Sequence, residues 1–335
     1  MTDTRFLTSD EIDGLATPTE YVDAVRDGYR QVGEGAPAYP RQKFFRSDPD
    51  GLFTSYAALL PETGAVGGYM YTAGFDAGNA WFMTPLFDAE SGEPLAVLDG
   101  ASMNPFKTGA AGAVAVDELA RDDATTLAVI GSGSQARGQV NTTVTVRDFE
   151  EIRVFSPTPK NRETFAGEFD EQLEADVQAV DSSASALEGA DVVITATKSS
   201  EPVFDGDDLE PGMHVTAMGQ YQEGSREIDT TTVERATYVP DLRARATFDA
   251  GAFLAALEDG VVTEDHIHGD LGEVVAGTAP GRTSDDEITV FDSGGTGIET
   301  TAAAYMLYER AQERGLGSTI SFAPASEALT GRLPQ

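Results

Sequence analysis

The stretch AVIGSGSQARGQV, residues 128–140, decides the fold because it leads from an apolar strand through a glycine-rich turn into a helix. Its G-x-G-x-x-A pattern has Gly131 and Gly133 where a tight turn and close approach of a phosphate are needed. A helix that begins at Ser134 points its unpaired N–H groups and its positive dipole end at that phosphate. Ala136 replaces the third glycine and still permits close helix–strand packing. The stretch therefore predicts a dinucleotide site, and the alternative is an ordinary strand–turn–helix corner.

Strands and helices alternate on both sides of this turn. A small-residue-rich helix is expected over residues 107–120, and the strand EIRVF with a following helix comes after the glycine turn. The further strands are VQAVD, DVVITAT, MHVTAMG and TVFDSGG, the last at residues 289–295. This alternation predicts βαβ units and an α/β fold with a Rossmann-type, doubly wound parallel sheet.

The first hundred residues follow a different pattern. Residues 8–32 have the apolar spacing of one helix, with Ser9 or Asp10 as N-cap. Residues 38–103 contain short apolar runs separated by turn signals, which predicts an antiparallel sheet. We therefore expect an N-terminal α+β domain of residues 1–106 with 315–335, and a Rossmann domain of residues 107–314. The helix near 297–314 is also a candidate to pack back on the first domain.

The loop after the second Rossmann strand bears on the choice of dinucleotide. NAD enzymes usually carry Asp or Glu there to bind the ribose 2′-hydroxyl. This loop instead offers Ser156, Thr158, Lys160 and Arg162, and no acid precedes Glu163. Hydroxyls and cations suit a 2′-phosphate, so we expect NADP(H) to be favoured over NAD(H). The alternative is a helix N-terminus that only uses Thr158 or Asn161 as a cap.

Charge is the strongest signal in the composition. The 335 residues include 57 Asp and Glu against 22 Lys and Arg, which gives a net charge of −35. The acids are spread along the chain and form no long block, which argues against a disordered acidic tail. A protein adapted to high salt is the better interpretation, because dense counterions relieve the self-repulsion. Such a surface repels nucleic acids and anionic membranes.

Other residue types exclude several classes of protein. There is no cysteine, hence no disulfide, thiolate metal site or cysteine nucleophile. No apolar run is long enough for a transmembrane helix, and the N-terminus lacks signal-peptide features, which predicts a cytoplasmic protein. His266 and His268 have no further ligands at metal-site spacing, so no metal is expected. His214 lies in an apolar strand and is predicted to be a hydrogen-bonded core residue.

Several segments, in this order along the chain, resemble the ornithine cyclodeaminase/μ-crystallin family, which also includes archaeal alanine dehydrogenases and ketimine reductases. They are YPRQ (39–42), LFDAESGEPLAVLDG (86–100), FKTGAAGAVAV (106–116), VIGSGSQAR (129–137), DVVITATKSSEPVF, PGMHVTAMG, LGEVVAGTAPGR (271–282) and VFDSGGTGIE. The resemblance implies a Rossmann domain and an N-terminal domain that binds substrate and forms a homodimer through its sheet.

The resemblance also implies roles for individual residues. The arginine that binds the substrate carboxylate falls on Arg41, a role that suits a guanidinium fork. An arginine–threonine pair near the phosphates and nicotinamide falls on Lys107 and Thr108, which keeps the charge without the fork. The other cofactor positions fall on Gly131, Gly133, Ser134, Gln135, Ala136, Thr197, Met218, Gly219 and Ser293. The alternatives are a surface arginine for Arg41 and a simple helix cap for Ser293.

Two departures from the family pattern affect catalysis. Tyr69 stands where the family has a lysine, and Tyr221 stands where it has a catalytic aspartate; a shift of the alignment by two residues would bring Glu223 to the second position. Cyclisation of ornithine to proline with loss of ammonia needs a base. A tyrosine, with a pKa of about 10, is a poor base near neutral pH but a reasonable proton donor.

We therefore expect an NAD(P)-dependent oxidoreductase that acts on a small imine or an α-amino or α-keto acid. Arg41 and Lys107 would bind its α-carboxylate, and Tyr69 or Tyr221 would donate a proton. One alternative is an ornithine cyclodeaminase. An alternative of another class is a non-catalytic NADP(H)-dependent binding protein.

Overall fold

The computed structural model describes residues 1–222 and 224–330. These residues divide into two compact units. Unit 1 contains Met1–Thr17, Ala36–Met103 and the chain from Thr296 onward, and unit 2 contains Pro18–Gly35 and Asn104–Gly295. Each unit has its own seven-stranded sheet.

Unit 1 is a mixed sheet with three helices. Its strand order is β14-β1-β6-β5-β4-β3-β2; β1 pairs in parallel with β6, and all other neighbours are antiparallel. The elements are β1 (Thr2–Leu7), α1 (Ser9–Ile12), β2 (Ala38–Ser47), β3 (Asp50–Leu60), β4 (Ala65–Gly74), β5 (Asn79–Asp88), β6 (Pro94–Asp99), α11 (Gly297–Arg314), β14 (Ser318–Phe322) and α12 (Ala325–Thr330).

The two faces of this sheet differ. Along β5, Phe82, Thr84 and Leu86 point to the face that carries the buried tyrosines, while Trp81 and Met83 point to the other face and are exposed. Helix α11 lies against β3 and β4 within this unit. Its approach is close, because a Cβ at Gly297 would lie 2.2 Å from the carbonyl carbon of Ala57.

Unit 2 is a parallel sheet with helices. Its order β12-β13-β11-β10-β7-β8-β9 contains the 3-2-1-4-5-6 order of dinucleotide-binding folds, with β12 added at one edge. The strands are β7 (Thr126–Ile130), β8 (Glu151–Phe155), β9 (Asp176–Ala179), β10 (Val192–Thr195), β11 (His214–Ala217), β12 (Thr237–Pro240) and β13 (Thr289–Asp292). The helices are α2 (Pro18–Gly33), α3 (Asn104–Leu119), α4 (Ser134–Thr143), α5 (Pro159–Asp170), α6 (Ser183–Leu187), α7 (Thr230–Arg235), α8 (Arg243–Asp249), α9 (Gly251–Glu258) and α10 (Leu271–Val275), with short 3-10 helices at Gly206–Asp208 and Glu264–His266.

Small residues bring helices α3 and α4 into close contact. A Cβ at Gly109 would lie 2.4 Å from the carbonyl oxygen of Gly138, and a Cβ at Gly138 would lie 2.2 Å from that of Pro105. This contact explains the glycine- and alanine-rich composition of the predicted helix at 107–120. It also holds the middle of α4, at Gly138, against the first turns of α3.

The predicted fold class is confirmed, because a parallel Rossmann-type sheet and a separate mixed sheet are both present. His214 is confirmed as a core residue: its ring nitrogens lie 2.9 Å from the hydroxyls of Thr216 and Thr289. Burial lowers the pKa of His214 to about 3, and the charges of Arg282 and Arg147 add to this effect. Every helix among the described residues is too short or too polar to cross a lipid bilayer.

Two predictions of local structure were wrong. Residues 8–32 form two helices instead of one, because Gly14 adopts φ 66° and Pro18 starts the second helix. The N-cap of the first helix is Thr8, whose side chain forms a capping box with Glu11, and not Ser9 or Asp10. Strands β1, β12 and β14 were not predicted.

The boundaries of the two units also differ from the predicted domains. Helix α2 groups with unit 2 because it packs on α3 and α10, so residues 18–35 leave the N-terminal domain. Helix α11 groups with unit 1 because it packs on the mixed sheet. Two predictions had been made for the helix near 297–314: that it belongs to the Rossmann domain, or that it packs back on the first domain. The grouping of α11 with unit 1 agrees with the second.

Candidate functional site

Gly131 makes the turn after β7 possible. It adopts φ 126°, and a Cβ there would lie 2.4 Å from the carbonyl oxygen of Ala196. Gly133, the N-cap of α4, has no atom within 4 Å of its Cβ position. The first glycine is thus required by the fold, whereas the second leaves open space in front of the helix.

The first turn of α4 has the character of an anion site. No side chain caps it, so its N–H groups are not used by the N-cap residue. Ser134 is exposed, and the buried Oε1 of Gln135 has no hydrogen-bond partner among the described residues. Ala136 is fully buried in the core that includes Val129. These features fit the pyrophosphate of a dinucleotide.

The loop after β8 divides its polar groups between internal contacts and solvent. The Ser132 hydroxyl donates to Ser156 Oγ at 2.9 Å. Arg162 is buried and donates to the Ser156 carbonyl at 3.1 Å and to Asp181 at 2.6 Å. Thr158 is the N-cap of α5 without a side-chain cap, and Lys160 is exposed. Lys160 is therefore the solvent-exposed cation of this loop, whereas Arg162 is engaged in hydrogen bonds with Ser156 and Asp181.

Glu227 joins the loops that follow β10 and β11, and sequence reasoning missed it. Its carboxylate accepts the N–H groups of Thr197 at 2.5 Å and Gly219 at 2.6 Å, and the Thr195 hydroxyl at 3.0 Å. A Cβ at Gly219 would lie 2.4 Å from both Glu227 Oε1 and the Thr197 carbonyl oxygen. Burial raises the pKa of Glu227, against the hydrogen bonds that lower it. The structure thus brings the predicted cofactor residues Thr197 and Gly219 together.

Arg245 is the centre of a buried charge cluster at the ends of β12 and β13. Its guanidinium contacts Asp241 at 2.5 Å, Asp292 at 2.8 Å and Asp249 at 3.2 Å, and the Tyr238 hydroxyl donates to Asp292 at 2.6 Å. Burial opposes the charge of Arg245, but the three carboxyl groups outweigh it and raise its pKa well above the usual range. Burial also raises the pKa of Asp292 and, well above its usual range, that of Tyr238. Nothing in the spacing of these residues along the chain indicated that they would form a cluster.

The turn after β13 is held by this cluster. Ser293 is buried, and its hydroxyl donates to Asp241 Oδ2 at 2.8 Å. Gly294 lies close to Tyr221, because a Cβ on this glycine would be 2.9 Å from the Tyr221 Cβ. The predicted cofactor position Ser293 and the predicted catalytic position Tyr221 are therefore neighbours. Glu223, the alternative carboxylate, lies outside the described residues.

Lys107 lies in the first turn of α3, close to the predicted threonine partner. It is 1% exposed, and its Nζ lies 3.5 Å from the Thr108 hydroxyl oxygen. The Thr108 carbonyl accepts from Gln139 at 3.2 Å, which ties this turn to α4. A buried ammonium in a turn that contacts α4 fits a role with an anionic ligand.

Arg41 lies on the buried face of the unit 1 sheet among tyrosine rings. It is 2% exposed, its guanidinium carbon lies 5.1 Å from the centroid of the Tyr56 ring, and its Nη1 donates to the Tyr71 hydroxyl at 3.2 Å. Such rings stabilise a guanidinium at low polarity. A buried, forked cation of this kind is suited to a carboxylate.

Tyr69 belongs to the same aromatic group but has a different hydrogen bond. Its ring centroid lies 5.3 Å from that of Phe82 and 6.2 Å from that of Tyr71. The Tyr69 hydroxyl donates to the Gly100 carbonyl at 2.5 Å. The phenol at the position of the family lysine therefore already uses its proton within unit 1.

No group of three or more His, Asp or Glu side chains positioned for a metal occurs within residues 1–222 and 224–330. The Nε2 atom of His266 lies 2.7 Å from the Val233 carbonyl oxygen, and that of His268 lies 2.9 Å from the Pro280 carbonyl oxygen.

With this geometry described, the chain can be compared with known proteins. The family model of the ornithine cyclodeaminase/mu-crystallin family matches residues 3–315. A Delta(1)-pyrroline-2-carboxylate reductase of Bacillus cereus is 35% identical over 238 residues, which cover 71% of this chain and 73% of the relative.

Two solved structures are similar to the whole chain. Delta(1)-pyrroline-2-carboxylate reductase of Thermococcus litoralis, in complex with NADH and L-proline, has a TM-score of 0.90 and 30% identity, and the match covers 95% of this chain and 100% of the other. An archaeal alanine dehydrogenase dimer with bound NAD has a TM-score of 0.89 and 30% identity, with coverages of 96% and 100%.

Proposed function

Because the chain belongs to the ornithine cyclodeaminase/mu-crystallin family, we propose that it is an NAD(P)-dependent oxidoreductase acting on a small imine or on an α-amino or α-keto acid. The observation that carries this proposal is the buried guanidinium of Arg41 among tyrosine rings. A cation in such surroundings attracts a carboxylate strongly, because little water competes with the ion pair. The relatives that resemble this chain are a reductase of a cyclic imino acid and a dehydrogenase of an amino acid.

The dinucleotide would bind to the carboxyl edge of the unit 2 sheet. Gly131, Gly133 and Ser134 would hold its pyrophosphate, and the loops at Thr197, Met218–Gly219 and Ser293 would hold its other half. Gln135, Ala136 and Thr108 would support these contacts, with Lys107 as the nearby cation. When bound, the cofactor supplies or accepts the hydride of the reaction.

We assign the proton donor to Tyr221 in preference to Tyr69. Imine reduction adds a hydride to carbon and a proton to nitrogen, so an acid must lie within hydrogen-bond reach of that nitrogen. Tyr69 already donates to the Gly100 carbonyl. Tyr221 is half-buried and lies beside the turn that follows β13. In unit 1, Arg41 is the group that we propose for binding the carboxylate.

The cyclodeaminase alternative has less support. It requires a base. Among the described acids that follow β11, Glu227 lies nearest in sequence to Tyr221. The Glu227 carboxylate already accepts hydrogen bonds from Thr195, Thr197 and Gly219. The non-catalytic alternative draws its support from the engaged hydroxyl of Tyr69.

The test is an assay of the full chain in multimolar KCl, in which absorbance at 340 nm follows cofactor oxidation or reduction. The substrates are Δ1-pyrroline-2-carboxylate, a six-membered cyclic imino acid, pyruvate with ammonia, and alanine. Turnover with any of them supports the proposal, and Tyr221→Phe should lower kcat by about 10²-fold or more while Tyr69→Phe changes it less. Release of proline and ammonia from ornithine would establish the cyclodeaminase instead. Tight cofactor binding without turnover would establish the binding protein.

We also propose NADP(H) as the favoured cofactor. The support is the loop of Ser156, Thr158 and Lys160, which lacks an acid for the 2′-hydroxyl and exposes a cation. Arg162 adds no support, because Asp181 and the Ser156 carbonyl already engage it. The two similar structures carry NADH and NAD, which weighs against this preference.

Finally, we propose that the protein is a homodimer adapted to high salt. The outer apolar face of unit 1 carries large exposed side chains on neighbouring strands, and Met70 and Met83 lie directly opposite each other in the register of β4 and β5. The face is formed by Phe44, Met70, Trp81, Met83 and Phe87. A contiguous apolar area of this kind usually marks an interface, and the similar alanine dehydrogenase is a dimer. The cytoplasmic location stays a prediction.

A further inference from the structure

A row of polar side chains joins the carboxyl ends of β7, β8 and β9. These three strands are neighbours in the sheet of unit 2. The Ser132 hydroxyl, after β7, donates to the hydroxyl oxygen of Ser156, which directly follows β8. Arg162, in α5, donates to the Ser156 carbonyl at 3.1 Å and to Asp181, after β9, at 2.6 Å. The row therefore connects the loops that follow three adjacent strands.

This row lies where the adenosine half of the dinucleotide belongs. In folds with this strand order, the end of the second strand, here β8, faces the adenosine ribose. An acid there binds the 2′-hydroxyl of NAD, and an arginine nearby accommodates the 2′-phosphate of NADP. The loop after β8 has no acid before Glu163. The structure brings an acid to this loop from β9 instead, because Arg162 connects Asp181 with Ser156.

The two members of this ion pair differ in their exposure. The Arg162 side chain is 11% exposed, and its guanidinium carbon lies 5.9 Å from the centroid of the Phe155 ring. The Asp181 side chain is 95% exposed. An ion pair with an exposed partner adds little to the stability of a fold. The contact with Asp181 is therefore easily broken, while the Ser156 carbonyl and the Phe155 ring keep Arg162 beside the loop.

We propose that Asp181 determines cofactor specificity by occupying Arg162 and withholding it from the 2′-phosphate of NADP(H). The proposal rests on the proposed dinucleotide-dependent function. A phosphate and the Asp181 carboxylate are both anionic acceptors, so they compete for one guanidinium. The 2′-hydroxyl of NAD(H) carries no charge and does not enter this competition. Asp181 thus limits the preference for NADP(H) that the exposed Lys160 favours.

The test measures the Kd of NADPH and of NADH for the full-length protein in multimolar KCl, by calorimetric titration. Charges then act over about 3 Å or less, so an effect of Asp181 must arise through its contact with Arg162 and not from its charge at a distance. We expect Asp181→Ala to bind NADPH about fivefold more tightly than the wild type, because Arg162 becomes available to the phosphate. Its Kd for NADH should change less than about twofold.

Two further variants separate this effect from a general change of charge. Asp176→Ala is the matched control, because Asp176 is an exposed acid at the start of β9 whose carboxylate accepts from Gln178 instead. Both of its Kd values should stay within about twofold of the wild type. In the Arg162→Gln background, Asp181→Ala should no longer tighten NADPH binding, because the group that it releases is absent.

A gain in NADPH affinity of less than about twofold in Asp181→Ala, or an equal gain for NADH, would overturn the proposal. A gain that persists in the Arg162→Gln background would also overturn it. The comparison of Asp181→Ala with Asp176→Ala decides the outcome even if Arg162→Gln does not fold. A wild type that binds neither dinucleotide would refute the proposed function itself, which is a distinguishable result.

Discussion

The guanidinium carbon of Arg41 lies over the ring of Tyr56, 5.1 Å from its centroid. Both side chains are buried on the same face of the unit 1 sheet. The ring stabilises the cation without neutralising it, because a π face carries no net charge. The contact with Tyr56 therefore does not itself remove the positive charge of Arg41.

Replacement of this guanidinium tests the carboxylate site. Arg41→Lys retains the charge but loses the fork, so we expect kcat/KM to fall roughly 30-fold, equivalent to about 2 kcal/mol for a charged hydrogen bond. The loss should appear in KM for the imino or keto acid and not in the Kd of the cofactor. Arg46→Lys is the matched control, because Arg46 lies on the same strand and is exposed. Equal losses in both variants would contradict the assignment.

Substitution of the two glycines in the turn between β7 and α4 should have different effects. Gly131→Ala forces a Cβ to 2.4 Å from the Ala196 carbonyl oxygen at φ 126°, and the backbone strain alone should cost roughly 1–3 kcal/mol of stability. Gly133→Ala meets open space, so its free energy of unfolding should stay within about 0.5 kcal/mol of the wild type. Its cofactor Kd should nevertheless rise about tenfold or more, because the methyl group occupies the approach of the phosphate. Denaturant unfolding and calorimetry measure the two effects; a Gly133→Ala protein that binds normally would exclude phosphate binding here.

His214 should make the protein sensitive to acid. The folded state keeps His214 neutral down to about pH 3, whereas the unfolded chain binds this proton near pH 6.5. The unfolded state thus binds more protons in this window, so the contribution of His214 is full above about pH 6.5 and is lost as the pH falls, at up to about 1.4 kcal/mol per pH unit. Urea unfolding near pH 7.5 and near pH 5 should show a smaller pH dependence for His214→Gln. His268→Gln, at an exposed histidine, should keep the wild-type pH dependence of the free energy of unfolding. An equal loss of this pH dependence in both variants would show that it does not come from His214.

Lys160 should discriminate between the two cofactors. If its ammonium contacts the 2′-phosphate, Lys160→Ala should weaken NADPH binding about tenfold, the scale of one charged hydrogen bond. NADH binding should change less than about twofold, because NADH lacks this phosphate. Lys198→Ala, at another exposed lysine of unit 2, is the control. A wild type that binds NADH more tightly than NADPH would end the proposed preference.

The outer apolar face should control the oligomeric state. Trp81 is 65% exposed in the single chain, so Trp81→Glu should convert a dimer into a monomer by placing a charge in the interface. Light scattering after size exclusion in multimolar KCl measures the mass. Phe248→Glu is the control, since Phe248 is an exposed aromatic residue of unit 2. A wild-type monomer, or a dimer that survives Trp81→Glu, would contradict the interface.

Local sequence signals predicted the parts of the molecule that depend on neighbouring residues. The strand, turn and helix at 128–140 could be predicted because glycine spacing and apolar periodicity act within a few residues. The antiparallel sheet of unit 1 could be predicted from short apolar runs and turns for the same reason.

Contacts between distant segments could not be predicted. Arg245 meets Asp241 and Asp249 one helical turn away on either side, but it meets Asp292 only because β12 and β13 are neighbours in the sheet. The hydrogen bond from Tyr69 to Gly100 likewise joins residues 31 positions apart. The grouping of helix α11 with the mixed sheet was predicted only as an alternative, because the sequence of a helix does not record which sheet it covers.

Mobile ions cannot reach the guanidinium that Asp241, Asp249 and Asp292 enclose, although they reach the many carboxylates outside. Attraction inside such a cluster is nearly independent of ionic strength, whereas repulsion among surface charges grows as the medium is diluted. Dialysis should therefore loosen the periphery of unit 2 first. The backbone amides of β12, β13 and α8 should be the last to exchange their hydrogens with solvent.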